Sequence, residues 1–195
     1  MTAAPNVLID NLTQRHSRVL DALWVVGFSL LTALLAQIRI PLPFTPVPLT
    51  GQTFAVLLSG AVLGNRRAFL SQGLYLAAGV AGLPVFAGGA ATVAYLLGPT
   101  AGYLWSFPLA AGLLGWLVER GAARRVWTLA LSLVLSDAVI LAAGALWLHG
   151  ILGVASRQTG LQGFYPFVVA DVLKVLLVGL TLPAVLRRYE QPASR

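Results

Sequence analysis

Asp171 and Lys174 stand three residues apart inside an otherwise apolar stretch near the end of the sequence. On a helix this spacing puts both side chains on one face and within reach of each other. A lysine ammonium offers three donors and no acceptor, which suits a carboxylate, whereas an ionised aspartate only accepts and suits N–H groups. Together they describe a site for a ligand with a carboxylate near one end and a polar N–H group elsewhere. The same pair also suits an internal salt bridge that fixes helix packing, and the residues alone leave both uses open. A third ionisable residue, Asp137, lies in another apolar stretch, where it can face the same cavity or hydrogen-bond a hydroxyl such as Ser132 or Ser136. Ionised groups inside a membrane cost about 2.5 to 3.5 kcal/mol each on insertion scales, so each needs a reason to be there.

A membrane is the solvent that composition selects. Of 195 residues, 58% are hydrophobic and 10% charged, against about 25% charged in an ordinary soluble domain. Apolar residues are not confined to one face in most segments, as lipid permits and water does not. With about 20 residues per span, the length accommodates about six spans and no separate soluble domain. The first twenty residues carry Asp10, Arg15, His16 and Arg18 and lack the apolar core of a cleaved signal peptide.

The absence of cysteine removes disulfides, thiolate metal sites and a cysteine nucleophile, and two histidines, His16 and His149, make a poor metal cluster. Lys174 follows Val172 and Leu173 rather than a glycine-rich loop, so no phosphate-binding loop for ATP is present. No H-E-x-x-H and no G-x-S-x-G occurs. These absences argue against an enzyme, and no cofactor or metal is expected. A net charge of +7 does not indicate nucleic acid, because the basic residues lie in loops instead of on one soluble face.

Breakers between apolar runs predict helices over about 21–38, 50–63, 68–80, 99–118, 126–149 and 166–186. Four prolines, Pro41, Pro43, Pro46 and Pro48, exclude helix from the first connection. Gly64 to Arg67 reads as a tight turn. Residues 81–98 form a long uncharged connection with Pro84, Gly88 and Gly89, and irregular backbone of this kind must pack on protein or line a cavity. With a cytoplasmic N-terminus, ten arginines fall inside (Arg15, Arg18, Arg66, Arg67, Arg120, Arg124, Arg125, Arg187, Arg188 and Arg195) and only Arg39 and Arg157 outside, as the positive-inside rule requires. The expectation is an all-α integral membrane protein, a six-transmembrane-helix bundle with both termini cytoplasmic. It forms one membrane domain over 1–195, with a polar tail 1–20, the bundle 21–187 and a second tail 188–195. Lys174 then lies about 12 Å below the outer end of the sixth helix. Gly60 with Gly64, Gly98 with Gly102 and Ser29 with Ala33 are small-residue pairs suited to close helix packing. The tryptophans Trp24, Trp105, Trp116, Trp127 and Trp147 read as interfacial anchors.

Four ordered segments resemble one known family: Pro46–Thr53 (PVPLTGQT), Gly82–Gly89 (GLPVFAGG), Leu97–Tyr103 (LGPTAGY) and Pro166–Lys174 (PFVVADVLK). They are similar to the BioY family, the biotin-specific S components of energy-coupling factor (ECF) transporters, over roughly Arg39 to Leu186. The resemblance implies a bacterial cytoplasmic-membrane protein that captures biotin near the outer face, with Lys174 on the valerate carboxylate and Asp171 on the ureido N–H groups. Ala170 stands where the family has glycine. The connection before the fourth helix offers Thr92 and Tyr95 as polar contacts, and Gln52 and Phe86 are further candidates for the binding surface. The resemblance also implies a membrane-embedded coupling protein and two cytoplasmic ATPases as partners, docked on the small-residue face Ser29, Ala33 and Ala36 of the first helix. Self-association is compatible with it. Physics alone also admits another carboxylated vitamin.

Overall fold

The computed structural model describes residues 17–150, 153, 155–168, 171–174 and 176–179. His16, Arg15, Ala170, the arginines from Arg187 onward and the end of the sixth predicted helix lie outside them. Helix dominates: α1 (Arg18–Gln37), α2 (Gln52–Leu63), α3 (Asn65–Val80), α4 (Ala101–Glu119) and α5 (Val126–Gly150), then a short helix Ser156–Thr159 and helical backbone at 165–168, 171–174 and 176–179. By length and composition, α1, α4 and α5 can each cross a membrane. With twelve residues α2 is about 18 Å long. Nine of these residues are buried, so protein rather than lipid surrounds it.

The proline-rich connection closes as a hairpin, in which β1 (Arg39–Ile40) pairs antiparallel with β2 (Leu49–Thr50) and Arg39 lies opposite Thr50. The predicted four-residue turn before the third helix is shorter than expected. Only Gly64 links α2 to α3, with φ +78°, and Arg66 and Arg67 already sit in the first turn of α3. Glycine adopts that backbone conformation without a Cβ clash. Gly115 of α4 packs directly on this turn, where any side chain would collide with the backbone of Gly64 and Asn65. Arg67, expected in the turn, pairs with Asp21 of α1 at 2.9 Å.

Between α1, α2 and α3 runs a buried polar chain in which Gln72 meets Thr32 at 3.2 Å and donates to Ser59 at 3.2 Å. Such hydrogen bonds tie apolar helices together where burial alone gives little preference for one register. The small residues of α1 serve the same packing. Ser29 is buried and Ala36 is 0% exposed, with Ala33 partly buried against the core, so this face is taken up within the chain. Ala33 is the member of this expected docking face that stays partly accessible. The free face of α1 is the stripe Val19, Leu23, Val26, Leu30 and Leu34.

The connection 81–98 folds as two 3-10 turns, Ala87–Gly89 and Val93–Leu97, and packs on protein as expected of apolar irregular backbone. Gln37 at the end of α1 grips it, donating to the Phe86 carbonyl at 3.2 Å and accepting from the Gly89 N–H at 3.0 Å. From the other side Trp105 donates to the Leu96 carbonyl and Trp147 to the Gly98 carbonyl, each at 3.1 Å. These two tryptophans therefore clamp the connection in addition to any interfacial role. A third tryptophan, Trp116, lies beneath the Arg120 guanidinium at 3.6 Å.

Candidate functional site

Lys174 and Asp171 meet as their spacing predicts, with Nζ 2.7 Å from Oδ1. The first turn of α2 contributes a third member, Thr53. The Lys174 ammonium donates to Thr53 Oγ1 at 2.6 Å, and the Thr53 hydroxyl lies 3.1 Å from the same Asp171 oxygen. Thr53 was visible in the sequence only as part of a motif. Its spacing of 118 residues from Asp171 carries no local signal, and only the fold brings the hydroxyl to the pair.

Asp171 is buried at 2% exposure, while Lys174 keeps part of its side chain accessible. The second carboxylate oxygen, Asp171 Oδ2, has no hydrogen-bond partner among the described residues. A buried acceptor without a donor is costly, so this atom is set to receive one. Lysine, threonine and aspartate thus form a compact cluster with one free acceptor and an ammonium that still has donor capacity.

The cluster lines a cavity of about 40 Å³. Its polar wall includes Gln52, Thr53 and Thr100, and its apolar wall includes Tyr103, Ile140 and Phe167. Gln52 is held in place by a Tyr75 hydroxyl contact at 2.5 Å and by Thr50 at 2.9 Å. Tyr103 is fixed by its hydroxyl on the Gly163 carbonyl and packs on Phe167 with ring centroids 5.7 Å apart. Tyr95 reaches the cavity from the 81–98 connection. Phe86 does not line it. Fully buried, it stacks behind Tyr95 at 5.1 Å and meets Tyr75 edge-on at 5.6 Å. Gly79 makes this seat, since a Cβ there would collide with the Phe86 ring. Thr92 is held at φ +82° with its N–H on the Gly79 carbonyl at 2.8 Å, a backbone role, and does not line the cavity.

Asp137 lies on α5 one turn before Ile140 and Leu141, which both line the cavity. It is buried, interacts electrostatically with Asp171 and Lys174, and has one oxygen without a partner among the described residues. Neither expected hydroxyl serves it. Ser132 donates to the Thr128 carbonyl, and Ser136 Oγ is likewise unpartnered among the described residues. No cluster of three potential metal ligands occurs among the described residues.

The BioY family model matches residues 10–191. A probable biotin transporter BioY from Pyrococcus horikoshii is 40% identical over 150 residues, covering 77% of this chain and 86% of that protein. The biotin transporter BioY of Thermotoga maritima is 38% identical over 72% of this chain and 82% of its own length. That of Rhizobium etli is 32% identical over 82% of this chain and 92% of its own length. The fold matches a crystal structure of the S-component for biotin from an ECF-type ABC transporter with a TM-score of 0.78, covering 88% of this chain and 92% of that one at 24% identity.

Proposed function

The chain belongs to the BioY family, and from that premise we propose that it is a biotin-uptake protein, the membrane subunit that captures biotin near the outer face for transport. The observation that carries this reading is the Lys174–Asp171–Thr53 cluster on a cavity wall, with Asp171 buried and Lys174 and Thr53 partly accessible. Lys174 receives the carboxylate of the valerate chain. Asp171, with its free Oδ2, accepts from the ureido N–H groups, and Tyr103 and Phe167 supply flat apolar surface for the rings. Gln52 and Tyr95 complete the polar lining, while Phe86 supports Tyr95 from behind. It is a transport protein, and no bond of the substrate changes.

Val47 and Pro48 of the connection 41–48 and Ala87 and Tyr95 of the connection 81–98 border the cavity, and these connections close over the ligand after capture. The rest of the reading follows the family: one membrane domain over 1–195, six spans with both termini cytoplasmic, in the cytoplasmic membrane of a bacterium. A membrane coupling protein and two cytoplasmic ATPases supply the energy that a chain without a phosphate-binding loop cannot. The coupling protein docks on α1, at the partly accessible Ala33 beside the packed Ser29 and Ala36 and along the outward stripe from Val19 to Leu34.

The test is calorimetric titration of biotin into the purified protein and into Lys174→Ala, with the fold of each confirmed by thermal melting. Binding by the parent and at least a hundredfold weaker binding by the folded variant is expected, since removing one partner of a buried charged pair costs about 3–5 kcal/mol. A well-folded parent that gives neither heat nor a thermal shift with biotin rules out biotin. The cluster would then be a site for another carboxylate or a packing pair.

A further inference from the structure

Above the inner cavity lies a second, wider one of about 480 Å³, between the proline-rich hairpin and the 81–98 connection. The two share Pro48, Ala87, Tyr95 and Thr100 as walls. The outer cavity is therefore the vestibule of the inner one. Among the described residues Arg39 is its one charged lining residue. The arginine is exposed, and no ion pair or hydrogen bond of its side chain occurs among the described residues.

Position and charge balance both single out this guanidinium. Arg39 pairs in β1 with Thr50, which lines the inner cavity, so its backbone is tied to the site it overlooks. Its guanidinium lies against the backbone of Gly88, where φ is +73° and a Cβ would collide with it. The six acidic residues of the chain are Asp10, Asp21, Glu119, Asp137, Asp171 and Glu190. None lies in the connections 38–51, 81–100 or 151–165, so among the described residues no carboxylate of these connections offsets the arginine. Deeper in, Lys174 is already compensated by Asp171. Of the two outer arginines, Arg39 and Arg157, Arg39 is the one that lines this cavity, so a carboxylate entering it meets the Arg39 guanidinium.

We propose that Arg39 is an entry residue: it draws the carboxylate of the ligand into the vestibule and selects anionic over neutral ligands by rate of capture, before Lys174 takes over the contact. This rests on the carboxylate-capture reading above and adds a kinetic step to it. A cation at the mouth of a low-dielectric cleft raises the association rate of an anion, and salt suppresses that gain.

The experiment is stopped-flow association of biotin, and of its neutral methyl ester, with the full chain in a neutral detergent, for the parent, Arg39→Gln and Arg39→Lys. The expected result is a biotin on-rate about fivefold lower for Arg39→Gln at low salt, the factor one unit-charge contact at ~4 Å is worth in water. The gap should close at about 1 M salt, where the screening length is ~3 Å. It should be missing for the methyl ester and largely restored by Arg39→Lys. Equal on-rates and salt slopes for parent and Arg39→Gln would overturn the proposal, as would an equal loss with the ester. A change confined to the off-rate would also overturn it, assigning Arg39 to holding the bound state. Failure of biotin to bind any variant, parent included, would instead remove the capture reading itself.

Discussion

Thr53 has the sharpest consequence of any single side chain in the site. Its hydroxyl touches both charged partners, at 2.6 Å from Lys174 and 3.1 Å from Asp171. Thr53→Val keeps the volume and removes the hydroxyl, which leaves the ammonium one acceptor short in a buried site. A buried polar group stripped of its partner costs about 1–3 kcal/mol, so biotin affinity by calorimetry should fall about 5- to 150-fold, and Thr53→Ser should keep most of it. Parent-like affinity in Thr53→Val would show that the hydroxyl only bridges. The Asp171–Lys174 contact was legible in the sequence because three residues on a helix is a local relation. Thr53 was not, because the closing contact spans 118 positions and depends on where α2 starts.

At the scale of elements, the connection 81–98 shows how irregular backbone is held in an apolar protein. Its plug is Phe86, its socket is Gly79, and its clasp is Gln37. Gly79→Ala puts a methyl group where the Phe86 ring sits. Overpacking of this kind costs about 1–3 kcal/mol, so the melting temperature should drop and biotin affinity with it, because Tyr95 rides on Phe86. Gly73→Ala, six residues earlier on α3 with nothing within 4 Å of its added carbon, should change neither. If Gly79→Ala melts and binds like the parent, the ring has room to move and the socket does not position Tyr95. Composition alone required this connection to pack on protein; the partners that hold it, Gln37, Trp105 and Trp147, come from α1, α4 and α5 and carry no pattern in sequence.

For the whole molecule, the arrangement in the membrane can be tested with unusual ease because the chain has no cysteine. Phe44→Cys, in the proline-rich hairpin, should react with a membrane-impermeant maleimide on intact cells. Arg124→Cys, between α4 and α5, should react only after the membrane is opened. The reverse pattern would invert the topology and move the binding site to the cytoplasmic face. Local chemistry and charge statistics were enough to read the membrane as solvent, the helical runs with Gly and Pro between them, the basic loops and the Asp171–Lys174 face, because each depends on composition or on residues a few positions apart. The tertiary structure decided which apolar faces meet. It made Ser29 and Ala36 packing residues, put Phe86 behind Tyr95, brought Thr53 to the charged pair and set Arg39 over the vestibule. In a chain that is apolar on every side, hydrophobic burial does not distinguish one helix face from another, and that choice falls to shape and to a few polar contacts between residues far apart in sequence.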